Sequence, residues 1–274
     1  MRHGVDRSEM QMTPFKSIPI LIISFNRLCC LKQQIDRFLL DGYNNIFIID
    51  NHSTYIPLLQ YYQEIDGKYG IKVVRMNRNL SYRVFRYSCL KDVFKHDYYC
   101  LTDSDVIPVE SCPDNHVEYF YQMLQENPGY SKAGFQLKLD DLPDYYKDKQ
   151  KVIKFENSLK KPVNDKVYES VIDTTFALYR PGVVGEYKAG KSLRTKPPYE
   201  ARHLGWYIDN SSLSEEEIYY LSQIQNRSTC WSTAIKKGVF GDKVPIQQSC
   251  RLEEYLEQIR RPHDQKKLCN RFIG

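Results

Sequence analysis

Among the eight cysteines of this 274-residue chain, no two stand in CxxC spacing, so neither a zinc site nor a disulfide framework is signalled. Several fall inside apolar patterns, which predicts buried, reduced thiols in a cytosolic setting. Long hydrophobic runs are also missing. The most apolar stretch, Ile18 to Phe25, stops at Asn26-Arg27, far short of the ~20 residues that cross a bilayer. Met1 to Met12 is polar and charged, with no signal-peptide core. Charge of one sign is scarce: 39 basic against 34 acidic residues leave a scattered +5, which is no nucleic-acid footprint. That charge suits an anionic small substrate or an acidic membrane surface about equally. The expected location is therefore cytoplasmic, with peripheral attachment to the inner face of a membrane left open. Repeats and low-complexity segments are absent. A hydrophobic fraction of 42% and a charged fraction of 27% of mixed sign argue against long disorder.

What the chain has in excess is tyrosine, 22 residues of it, suited to stacking on bases or sugars and equally to packing in core and rim. The first hundred residues alternate. Pro19–Ser24, Asn45–Asp50, Ile71–Val74 and Asp97–Leu101 are short runs rich in β-formers. Between the first two, Leu28, Leu31, Ile35, Phe38 and Leu39 recur at helical spacing, and looser helical patterns run over Tyr55–Tyr62 and Val84–Phe94. Right-handed crossovers turn that order into a parallel sheet with helices on both faces. After Asp105 the alternation weakens. Val117–Leu124 reads as a helix stopped by Asn127-Pro-Gly, and Ala133–Leu139 and Val171–Tyr179 read as strands. The polar stretch from Asp140 to Lys166 carries a short helix or forms a flap, and Pro181–Arg202 reads as a loop and lid. Ser214-Glu-Glu-Glu217 is a capping box, and Leu252, Tyr255, Leu256 and Ile259 mark a final helix.

The chemistry concentrates at Asp103-Ser104-Asp105, which follows the fourth strand, where an α/β sheet places its ligands. Two carboxylates so spaced can share a divalent ion with phosphate oxygens. At this point the chain resembles the family 2-like glycosyltransferases with the GT-A fold. Pro19–Arg27 resembles their first strand and nucleotide-contacting turn, Ile49–Thr54 their Asp-Asn-x-Ser-Thr strand ending, and Leu101–Asp105 their metal-binding Asp-x-Asp. The similarity covers residues 18 to 108. Gly134–Pro143, Asp173–Arg180 and Ala201–Tyr207 are similar to a bacterial branch apart from the family's well-studied members.

The resemblance implies a GT-A-type α/β fold: a mostly parallel, Rossmann-like central sheet flanked by helices, with an irregular C-terminal acceptor half. It implies a single domain in which residues 18–108 bind the nucleotide sugar and 109–274 hold acceptor and catalytic groups. The implied enzyme is a metal-dependent hexosyltransferase or relative. It would move a sugar from a nucleoside-diphosphate donor, UDP-linked by preference, to a glycan or lipid-linked acceptor with inversion. Ser24, Asn26, Arg27, Asp50, Asn51, Asp103 and Ser104 would meet the nucleotide, and Asp103 and Asp105 would hold Mn2+ or Mg2+. Asp50 also suits a helix cap. Arg83, with Arg78 and Arg86, could clamp the pyrophosphate or line a solvated helix face. Arg78 stands where the family usually has glycine.

His203 is placed to complete the metal shell, an imidazole being an acceptable ligand for manganese; the other reading is a packed aromatic beside Trp206. Inversion needs a general base at the acceptor hydroxyl. Asp173 is the first choice, Glu200 the second and Asp141 the third, because the Glu-Asp helix start that supplies the base in many relatives is missing. Asp173 equally suits a hydrogen bond to the Thr174-Thr175 backbone. Asp141 and Trp206 are the expected acceptor contacts, and Lys188, Lys191, Arg194 and Lys196 could order over the donor phosphates, face anionic lipid or form a plain solvated loop. A catalytically silent nucleotide- or glycan-binding scaffold is the competing reading. Sugar-nucleotide synthesis is disfavoured, because no glycine-rich loop follows the first strand.

Overall fold

The computed structural model describes residues 14–184, 190–209 and 211–224. Strands β1 (Ile20–Ser24), β2 (Ile46–Asp50), β3 (Ile71–Arg75) and β4 (Tyr99–Asp103) form where the β-rich runs predict them. They pair in parallel in the order β3-β2-β1-β4. β1 and β2 are apolar at every position but the last because both sheet faces are covered. Ile20, Ile22, Ile46 and Ile48 face one layer, built from α1 (Leu28–Leu40) and α2 (Ile56–Ile65). Leu21, Ile23, Phe47 and Ile49 face the other, built from α3 (Val84–Tyr87) and α4 (Leu90–Phe94). The single helix expected over Val84–Phe94 breaks at Ser88, whose backbone is extended and whose hydroxyl accepts from the Leu90 amide at 3.3 Å.

The chain continues through β5 (Val106–Pro108), α5 (His116–Glu126), β6 (Lys132–Gly134), β7 (Gln136–Leu137), α6 (Lys149–Ser158), β8 (Lys161–Pro162) and β9 (Val167–Glu169). β10 (Ala177–Tyr179), β11 (Ser192–Thr195), β12 (Glu200–His203) and α7 (Glu215–Gln223) complete it. The large sheet has the order β3-β2-β1-β4-β10-β6-β11-β9-β8, and a small one has β5-β12-β7. The fold is mixed α/β. Its front four strands are parallel, while β10 runs antiparallel between β4 and β6, and β9 antiparallel beside β11.

Three expectations for the back half need correction. The strand over Ala133–Leu139 is split, β6 joining the large sheet and β7 the small one. The strand over Val171–Tyr179 shrinks to Ala177–Tyr179, because Phe176 adopts a φ of 43° and Thr174 is tied to Asp103. The loop expected over Pro181–Arg202 contains β11 and the start of β12. Arg194 escapes a hydropathy reading because it is buried against Glu156 at 2.5 Å. The short helix foreseen within Asp140–Lys166 is α6. Cys30, Cys89, Cys100 and Cys112 are buried and Cys29 is exposed, all as free thiols. Cys230, Cys250, Cys269, Lys188 and the helix expected over Leu252–Ile259 lie outside the described residues. Among the described residues, no helix is long and apolar enough to cross a membrane.

Strand order reverses between β1 and β4, so the crevice beyond their carboxyl ends is the switch point at which such sheets bind ligands. Arg27 and Asp103–Asp105 leave the sheet there.

Behind it, His116 is fully buried among Phe38, Tyr43, Phe120, Phe135 and Phe176. Burial pushes its imidazole from 6.5 down to about 3. The unfolded chain therefore takes up a proton near pH 6.5 that the folded one refuses, and stability present above that pH is lost as pH falls. Urea unfolding at pH 7 and pH 5 should show a loss of about 2 kcal/mol, one that is absent from His116→Phe.

Candidate functional site

Asp103 is the last residue of β4, and its turn is gripped from several sides. Its amide donates to Thr174 O at 2.7 Å, and the Thr174 hydroxyl donates to its Oδ2 at 2.5 Å. The Ser104 amide donates to Ile23 O on β1 at 3.1 Å, and Asp105 O accepts from the Leu204 amide at 2.7 Å. From α1, the buried Gln34 donates through Nε2 to Asp103 O at 2.8 Å and Val106 O at 2.6 Å, bracketing the turn. Backbone groups beyond a strand end need partners, and here they are supplied by four other parts of the chain.

The side chain of Asp105 lies against Arg27, which is only 7% exposed. One guanidinium arm, Nη1, donates to Asp105 Oδ2 at 2.9 Å and the other, Nη2, to Glu217 Oε2 of α7 at 2.8 Å. The guanidinium plane covers the Tyr220 ring at 4.2 Å. α7 docks beside this pair. The Ser214 hydroxyl accepts from the Glu217 amide at 3.2 Å, as a capping box requires, but the Glu217 carboxylate turns away to Arg27 instead of closing the box. The neighbouring Glu216 accepts from the Leu28 amide at 2.8 Å and the Cys29 amide at 3.1 Å, capping α1, whose own N-cap residue, Arg27, makes no side-chain cap. Tyr219 packs on Tyr55 and donates to Thr54 at 2.9 Å.

His203 presents Nε2 to the other oxygen of Asp105, Oδ1, at 3.8 Å. Its ring packs on Trp206 at 4.9 Å, and its buried Nδ1 has no hydrogen-bond partner among the described residues. Gly205 leaves the room for this: a Cβ there would stand 3.1 Å from the imidazole and 3.4 Å from Asp105 Oδ2.

One carboxylate oxygen and one imidazole nitrogen facing each other form a donor set suited to Mn2+ or Mg2+. No group of three or more His, Cys, Asp or Glu side chains among the described residues is placed to enclose an ion, so substrate oxygens or water would complete the shell. Asp105 and His203 therefore fit a divalent metal, whereas the carboxylate of Asp103 is turned to Thr174.

The nucleotide candidates cluster at the neighbouring strand ends. Asn26, at φ 50°, accepts through Oδ1 from the amides of Thr54 and Tyr55, and its own amide donates to Ser53, so the β1 and β2 loops cap each other. Asp50 is 0% exposed, taking hydrogen bonds from the Ser53 amide, Tyr62 and Arg75. Ser24 accepts from Tyr62 at 2.9 Å. Asn51 holds the loop after β3 through Leu80 and Ser81, while Arg83 is exposed on that loop and donates to Tyr82.

Asp173 does not begin a strand. It is exposed in a loop, one residue from the Thr174 that holds Asp103. Glu200 and Arg202 occupy the face of β12 opposite His203. Glu200 pairs with Lys138 at 3.6 Å, and Arg202 joins Asp141 at 2.7 Å and Glu110 at 2.7 Å. Asp141 also accepts from Tyr207. Trp206 is 2% exposed, so it offers no face to a sugar and serves as packing behind His203. Sequence reasoning missed Gln34, Thr174, Glu217 and Tyr220. Only Glu217 left a trace, in three consecutive glutamates where a helix cap uses one.

No family model and no curated protein matches the chain. Among solved structures it is similar to a mannosyltransferase from Pyrobaculum calidifontis in complex with GDP-Man and Mn2+, at 11% identity and a TM-score of 0.44 over 68% of this chain. It is similar to GalNAc-T7 with UDP, GalNAc and Mn2+ at 11% identity and 0.44 over 68%. Apo UDP-glucose pyrophosphorylase follows at 10% identity and 0.39 over 68%. The matches span 56%, 43% and 91% of those chains respectively. At TM-scores this low the likeness carries no argument, and the architecture stands on the topology of its own sheet.

Proposed function

We propose that this protein is a metal-dependent glycosyltransferase that takes a sugar from a nucleoside diphosphate, UDP by preference, and passes it to a glycan or lipid-linked acceptor. The observation that carries this reading is Asp105 at the switch point, with Oδ2 fixed by Arg27 and Oδ1 facing His203. Two carboxylates, Asp105 and Glu217, share one guanidinium, which leaves one formal negative charge in a nearly water-free place and favours a cation. A divalent ion bound between Asp105 and His203 would neutralise the departing diphosphate. Asn26, Asp50 and Asn51 hold the β1, β2 and β3 loops in one arrangement, so the walls of the crevice are set before a nucleotide enters. Asp173, exposed in the loop one residue before the Thr174 that holds Asp103, is the candidate to take a proton from an acceptor hydroxyl.

One observation favours the second reading, a catalytically silent nucleotide- or glycan-binding scaffold: both carboxylates of the Asp-x-Asp pair are engaged by the protein itself. Transfer or donor hydrolysis in an acceptor screen would remove that reading.

Calorimetry should show that a nucleoside diphosphate binds with Mn2+ or Mg2+ and not in chelator, and that Asp105→Ala loses this dependence. Equal affinity in chelator would defeat the metal reading. Asp173→Asn should keep donor affinity while turnover falls by about 100-fold or more. Unchanged turnover would move the base elsewhere.

A further inference from the structure

We infer that Glu217 is a positioning residue for the metal-ligating face of Asp105, acting through Arg27 from a helix 190 positions further along the chain. The inference rests on the reading of Asp105 and His203 as a metal site. Arg27 is a single cation between two carboxylates, each bound to a different arm at 2.8–2.9 Å. The arm held by Glu217 fixes the guanidinium plane, which Tyr220 supports from below at 4.2 Å. The other arm then reaches only Oδ2 of Asp105, so Oδ1 is left for His203 Nε2 at 3.8 Å.

Glu217 also sets how strongly Arg27 competes with a metal. With Glu217 in place, the guanidinium charge is divided between two anions. Without it, Asp105 is the one carboxylate left in hydrogen-bond contact, and Arg27 can rotate to cover both of its oxygens, as a planar fork prefers to do with a carboxylate. Buried at 7% exposure, Glu217 has no need of solvent to hold this position. Glu216 on the same turn feels the Arg27 charge but makes no hydrogen bond to it, its carboxylate binding the α1 amides of Leu28 and Cys29 instead. Docking of α7 and tuning of Asp105 are thus assigned to adjacent glutamates.

The test is Mn2+ titration of the full chain, alone and with UDP, followed by the electron paramagnetic resonance signal of the free ion. Glu217→Gln should weaken Mn2+ affinity about 10-fold, the scale of an outer-shell partner. Glu216→Gln should lower the melting temperature while leaving Mn2+ affinity within about twofold. In an Arg27→Met background, Glu217→Gln should change nothing further, because the route runs through Arg27. Unchanged affinity in Glu217→Gln would overturn the inference, as would an equal loss in Glu216→Gln or a loss that persists without Arg27. A native chain that takes up no Mn2+, with or without UDP, would instead sink the metal reading itself, and the inference with it.

Discussion

The union of the turn after β4 with α7 depends on one buried guanidinium. Arg27 leaves β1 at the point where strand order reverses, and its two arms tie the turn after β4 to a helix near the end of the described chain. A charge in such a place is costly unless paired, and removal of one partner from a buried pair typically costs about 3–5 kcal/mol. Here the pairing is over-provided, with two carboxylates and an aromatic face for one cation. The surplus negative charge is the feature on which the proposed metal site draws.

The turn that carries Asp105 is correspondingly rigid. Gln34 grips it from α1, Thr174 from the approach to β10, Ile23 from β1 and Leu204 from the end of β12. These supports come from four separate parts of the chain, so the turn that carries the carboxylates is fixed largely through its backbone. Asp50 shows the same economy one strand away. Its carboxylate organises Ser53, Tyr62 and Arg75, and so fixes the loop that follows β2.

The front half was legible because its signals are local. Runs such as Ile20–Ser24 and Ile46–Asp50 are buried on both faces, and the helix between them repeats at 3.6 residues, so hydropathy alone orders them. The position of Asp103 at a strand end followed directly. The back half hides its strands in three or four residues, several of them polar. Ser192-Leu-Arg-Thr195 reads as a basic loop until Arg194 is seen to be neutralised by Glu156 in the interior. Asp173 misled for a different reason, since the chain around it is bent by a left-handed Phe176 and a tether to Asp103, which no period reports. The partnership of Arg27 with Glu217 has no local signature at all.

That long reach gives the chain an order of completion. Helix α1 is among the first elements made, yet the acceptors for its leading amides, Leu28 and Cys29, are on Glu216, which is synthesised after every strand of the described fold. A chain that stops short of Ser214 contains every residue of both sheets and of the Asp103–Asp105 turn. It still carries an uncapped helix and an Arg27 with one arm unsatisfied at the centre of its crevice. The carboxylates that complete the arrangement around Arg27 and the start of α1 are therefore the last of its parts in chain order.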